Sequence, residues 1–106
     1  MSGRTGESLR RTEAEIAAEK AATLGRAGER LEEALRLARA ALARLDAADG
    51  SEERRQRLAE YERARERVAH ERLILIIQRE AVGLRQHRVV DQQFPEPLRR
   101  SGRPDR

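Results

Sequence analysis

Leu73-Ile74-Leu75-Ile76-Ile77, set between Arg72 and Gln78-Arg79-Glu80, is the stretch on which the reading of this chain turns. Five consecutive large aliphatic residues on a helix point in every direction around its axis, because each residue turns the next by about 100°. A helix apolar on all sides must be covered on all sides. A strand is the rival reading, since Ile favours sheets and a short apolar run has no decisive period. Against it, residues 52–72 are rich in Glu, Arg, Ala and Leu, contain no Gly or Pro, and find no second β-rich run to pair with. The stretch therefore reads as the centre of an assembly of helices.

Upstream, Tyr61, Val68, Leu75 and Val82 recur every seven residues and give this helix one seam. Leu58 and Ala64 support its first half, while Arg65, Arg72 and Arg79 occupy the alternative core row. Glu/Arg pairs such as Glu53–Arg57, Glu60–Arg63 and Glu62–Arg65 mark that half as solvated, with a thin contact stripe. The helix is predicted from about Ser51 to Val82. Before it, residues 46–53 carry the turn signals: Gly50 for a left-handed conformation, Asp49 or Ser51 to cap, Glu52 and Glu53 to favour the helix N-terminus. So short a connection makes the helices on either side antiparallel neighbours.

The first helix is expected to start between Glu7 and Thr12, where Thr12-Glu13-Ala14-Glu15 matches a capping box. It runs to about Ala47. Leu24, Gly28, Leu31, Leu35, Ala38, Leu42 and Leu45 follow an unbroken heptad spacing, with Ala27, Ala34, Leu37 and Ala41 as a shallower stripe beside them. Leu9 and Ile16 lie off that seam, so the N-terminal third packs loosely or in a shifted register. Gly25 and Gly28 each cost about 1 kcal/mol against Ala in a helix interior. They are read within a continuous helix, at a place where another helix approaches closely.

Downstream, Gly83 permits a kink or a stop. Residues 84–94 either extend the helix or form a short third one, with Val90 and Phe94 one turn apart. Phe94-Pro95-Glu96-Pro97 ends it, since a residue before proline avoids the helical region. Residues 1–6 are expected to be flexible, 7–94 to be the helical domain, and 95–106 to be a disordered basic tail.

Composition agrees with long helices. Charged residues make up 40% of the chain and aromatics 2%, and the Leu and Ile positions are periodic rather than scattered, which argues against disorder. With no cysteine, disulfide and Cys-zinc frameworks are excluded. The longest apolar run is far too short for a bilayer, and MSGRTGESLRR has no apolar core of a signal peptide, so a cytoplasmic protein with no membrane partner is expected. Residues 1–50 carry nine basic and nine acidic groups, residues 84–106 six and three. The net charge of +4 therefore sits mostly at the C-terminal end, and the body lacks the clustered basic face of a nucleic-acid grip.

Candidate chemistry is sparse. Glu66 with His70, and His87 with Asp91, stand one turn apart, yet a metal needs three or four converging ligands, and Arg67 and Leu84 occupy the places where a Glu-x-x-His site needs its carboxylate. No metal and no cofactor are expected. The few Ser and Thr offer no Ser-His-Asp set, and Gly25-Arg26-Ala27-Gly28 lies in a helix rather than after a strand. An enzyme is not expected. Gln78, Arg79 and Glu80 either set the register between subunits or face solvent.

Leu24-Gly-Arg-Ala-Gly-Glu-Arg-Leu-Glu-Glu-Ala-Leu, with Ile77-Gln-Arg-Glu-Ala-Val-Gly-Leu-Arg-Gln-His and Phe94-Pro-Glu-Pro, resembles a family of small bacterial α-helical proteins of unknown function. The resemblance covers about a third of the chain; it implies a helical fold and carries no activity or site. The secretion-associated helical hairpins of similar size differ, having a Trp-x-Gly turn where this chain has Asp49-Gly50 and no tryptophan.

The sequence thus predicts an all-α antiparallel hairpin that dimerises into a four-helix bundle, a structural or protein-interaction module. The expected interface between copies is Leu24, Leu31, Leu35, Leu42 and Leu45 with Leu73, Ile74, Leu75, Ile76 and Ile77. Another helical protein is the other candidate partner. The alternative function is nucleic-acid binding, with Arg88, Arg99, Arg100, Arg103 and Arg106 on phosphates.

Overall fold

The structure, a computed structural model, describes residues 2–101. Its elements are α1 (Ser2–Asp46), α2 (Ser51–Ala81) and the short α3 (Arg88–Gln93), and no strand occurs among the described residues. α1 and α2 pack along one another as a hairpin, and the molecule measures 77 × 21 × 15 Å.

The core follows the two heptad rows. Leu31 and Leu45 from α1 and Tyr61 and Val68 from α2 are fully buried, and Leu75 of α2 is buried beside them. The alanine row runs deeper than its expected role as a shallow shoulder: Ala27, Ala34 and Ala41 are buried, whereas Leu24 and Leu42 of the main seam are only partly covered. Alanines alternate with Leu31, Leu35 and Leu45 along the contact, and Leu24 and Leu42 lie at its flank.

Helix α1 is continuous, and its start differs from expectation. It begins at Ser2, and Thr12 lies inside it, its hydroxyl donating to Ser8 O at 3.0 Å rather than capping anything. Gly25 and Gly28 sit in this helix without the close neighbour expected of them. A Cβ added at either would meet nothing within 4 Å.

At the turn, Gly50 takes φ 89° and ψ 153°, a mirror-image extended conformation open in practice only to glycine. Neither Asp49 nor Ser51 caps α2 with its side chain. The Glu53 carboxylate instead reaches back to accept from the Asp49 N–H at 3.0 Å. Gly83, with φ 90°, stops α2: Leu84 N–H donates to Arg79 O (2.9 Å) and Gly83 N–H to Glu80 O (3.0 Å), the paired closure by which a left-handed glycine ends a helix.

α3 is the separate short helix, and it packs Val90 and Phe94 onto the hairpin core. Residues 95–101 then run back along α2 toward the turn. Residues 102–106, the remainder of the expected basic tail, lie outside the described residues, as does Met1.

Candidate functional site

The Leu73–Ile77 girdle is divided by the fold. Leu75 faces α1 and is buried, and Ile74 and Ile76 on its flanks are half-buried. Leu73 and Ile77, two residues to either side of Leu75, stand about 160° away from it on the helix. They remain 56% and 54% exposed. Of the α1 residues expected at an interface between copies, Leu31, Leu35 and Leu45 are buried inside this single chain and Leu24 and Leu42 are packed against its core. The part of that set still facing outward is on α2.

A second exposed apolar region adjoins it. α1 is fourteen residues longer than α2, about 21 Å of helix at 1.5 Å per residue. The excess lies at the open end of the hairpin, where Gln78, Ala81 and Val82 at the end of α2 meet Ile16 and Thr23 of α1 around a notch of about 310 Å³. Every residue from Glu7 to Ala22 is exposed, Leu9 at 59% and Ile16 at 47%. Ile74, Ile77 and Ala81 follow one another at helical spacing, so a single apolar stripe leads from the girdle into this notch.

The other flank of α2 carries a row of arginines, the alternative core row read from the sequence. In the folded chain this row serves the C-terminal segment. Arg79 donates to Gln86 O at 2.8 Å, Arg72 to Phe94 O, Tyr61 Oη to Leu98 O, and Arg54 to Ser101 O at 3.4 Å. Arg72 also meets Asp91 at 3.2 Å, Arg65 meets Glu96 at 3.7 Å, and Arg100 forks onto Asp46 through Nε and Nη2 at 3.2 and 3.3 Å. An extended segment has no helix or sheet to satisfy its carbonyls. These donors supply what its own backbone lacks. Burial pushes the Tyr61 phenol up, Arg65 and Arg100 pull it down and Asp46 adds to the rise, with the net shift upward.

Arg79 and Glu80 have a role inside the chain. Arg79 Nε donates to His87 Nδ1 at 3.2 Å, and His87 Nε2 faces Glu80 Oε1 at 3.1 Å. Because Nδ1 accepts, the neutral ring carries its proton on Nε2 and donates it to Glu80. The pair clasps the bend after Gly83, and Asp91, one turn from His87, is engaged by Arg72 instead. Gln78 lines the notch. The Glu/Arg pairs on the solvated face differ from those expected: Arg57 with Glu60, Arg44 with Glu60, Arg55 with Glu52 and Arg36 with Glu33. Hydrogen bonding by Arg36 and by Arg55 holds the Glu33 and Glu52 carboxyls below the usual range.

Of the arginines considered for nucleic acid, Arg88 and Arg99 are exposed, Arg100 is engaged by Asp46, and Arg103 and Arg106 lie outside the described residues. Among the described residues no three His, Asp or Glu side chains converge as metal ligands would, and no helix is long and apolar enough to cross a membrane. Comparison with protein-family models, with curated proteins and with solved structures finds no match.

Proposed function

We propose that this chain is a non-catalytic structural or protein-interaction module that works as a homodimer, the two hairpins forming a four-helix bundle where they overlap. The observation that supports this reading most is the outward half of the girdle. Leu73 and Ile77 are neighbours one turn apart on the face of α2 away from α1, each more than half exposed. Each therefore retains about half of the ~1.5–3 kcal/mol that full burial of such a side chain contributes. Contiguous exposed aliphatics of this kind mark association surfaces. Of the two histidines, His87 is occupied in holding the fold, by Arg79 and Glu80.

The test is mass in solution. Wild-type protein should sediment at twice the 12.1 kDa chain mass. Leu73→Asp combined with Ile77→Asp should give a monomer with unchanged helix content, because both side chains are exposed in the protomer. A wild-type chain that stays monomeric at tens of micromolar, or a double variant that stays dimeric, would overturn the proposal.

A further inference from the structure

We infer that the cavity between α1 and the returning C-terminal segment binds a small carboxylate with an apolar body. The body lies against Leu35, Ala38 and Tyr61, and the carboxylate meets Arg39. The site goes beyond the dimer reading, since one protomer supplies all of it.

Burial orders the cavity from base to mouth. It holds about 310 Å³ between residues 35–42 of α1 and residues 95–98, at the small end of the ~300–1,000 Å³ usual for ligand pockets. Leu35, Ala38 and Tyr61 are buried and form the base, Leu42 and Pro97 are half-buried, and Arg39, Glu96 and Leu98 stand exposed at the mouth. The deep part asks for an apolar occupant. The Tyr61 hydroxyl is already donated to Leu98 O, and Pro95 and Pro97 bring no N–H to the facing wall. An alkyl or aryl body finds no open polar side chain there and gains by leaving water.

The mouth sets the charge. Glu96 is engaged by Arg65 at 3.7 Å. Arg39 enters none of the ion pairs formed among the described residues. Its own helix gives it no carboxylate one turn away, because Leu35, Arg36, Leu42 and Ala43 hold those places. Arg39, Arg65 and Glu96 together leave one positive charge, at the rim of an apolar recess. A guanidinium receives a carboxylate through two parallel N–H donors, whereas a cationic ligand would be repelled.

The way the C-terminal segment is held leaves this space open. Arg72 donates to Phe94 O, Arg65 meets Glu96, and Tyr61 donates to Leu98 O, so the segment is pinned on its α2 side. Among the described residues no hydrogen bond or ion pair joins 95–98 to residues 35–42 of α1. A ligand in the cavity therefore touches both walls, and it binds only while the segment is docked.

Tyr61 is the only tyrosine and no tryptophan is present, so its emission reports on the base of this cavity. Decanoate, titrated below its micelle concentration, should change that emission saturably. It should also slow hydrogen exchange at Val90 and Phe94, because it binds the docked form alone. Decanol should bind more weakly, and decyltrimethylammonium most weakly of the three. Arg39→Gln, at an exposed site, should weaken decanoate about fivefold, the upper end for one exposed ion pair, and leave decanol unchanged. Leu98→Ser, which keeps the carbonyl that Tyr61 holds, should weaken both. No saturable change with decanoate, wild-type affinity in Arg39→Gln, or the cation binding as tightly as decanoate would overturn the assignment. None of these outcomes turns on whether the chain is dimeric, so the dimer reading stands or falls separately.

Discussion

Tyr61→Phe isolates one of the contacts that hold the C-terminal segment to the hairpin. The ring is 1% exposed and stays in place in the variant, so the core keeps its packing. What is lost is the hydroxyl that donates to Leu98 O. A net intramolecular hydrogen bond contributes about 1 kcal/mol, within a range of roughly 0.5–1.5. Leu98 is 62% exposed, so water can reach the freed carbonyl and no buried acceptor is orphaned. One kcal/mol is about a fivefold factor in the docked-to-undocked ratio. α3 has six residues, too few to stand as a helix unless docked, so its amides report that ratio. Hydrogen exchange at Val90, Asp91 and Phe94, whose N–H groups bond within α3, should accelerate about fivefold, and exchange at Leu31 and Val68 should not. Wild-type rates at Val90 and Phe94 in a folded variant would refute the reasoning, placing the hold on the Phe94 ring and the arginine contacts instead. Equal acceleration at Leu31 would refute it differently, by showing that the segment and hairpin open as one unit.

Leu31→Ala removes a fully buried side chain and should cost about 2–5 kcal/mol in urea denaturation; a cost like that of an exposed site would mean the seam is not the core. Gly25→Ala, in an open helix interior, should stabilise the chain by about 1 kcal/mol, read as a raised Tm, while Gly83→Ala should destabilise it by about 1–2 kcal/mol because φ 90° disfavours a Cβ. The reverse order of those two Tm values would contradict the backbone assignment. With the folded Tyr61 pKa raised above the ordinary value near 10, the folded state binds the phenolic proton more tightly than the unfolded one. Its stabilising contribution is complete below that value and is lost as pH rises through the folded pKa. Tyr61 is the only tyrosine and no tryptophan is present, so phenolate absorbance should show one late transition at the pH where α3 exchange accelerates; ionisation at the ordinary value would contradict this.

What the sequence made legible is what obeys a period. The leucine row of α1 and the Tyr61–Val68–Leu75–Val82 row of α2 are sevenfold patterns, and a seam between two helices can be recognised from either side alone. The turn was legible because Gly50 and its neighbours are chemically distinct. The start of α1 was not, since a capping box at Thr12 and a hydroxyl bonded back to its own helix use the same residues. Gly25 and Gly28 suggested a close approach that the protomer does not make. Spacing cannot reveal whether a small residue has a neighbour.

The arginine row shows the limit most clearly. Arg65, Arg72 and Arg79 are as periodic as the seam, yet the period states only that they share a face. What they hold is a stretch of backbone carbonyls and scattered carboxylates at residues 86–101, and a carbonyl acceptor carries no residue signature. A segment rich in Pro and Arg therefore reads as loose when taken alone, though its partners lie in full view on α2, 7 to 47 residues earlier. The same reasoning bears on the girdle. Five aliphatics in a row state that every side needs cover, and the hairpin covers only the side where Leu75 faces α1. Leu73 and Ile77 are what that division leaves over.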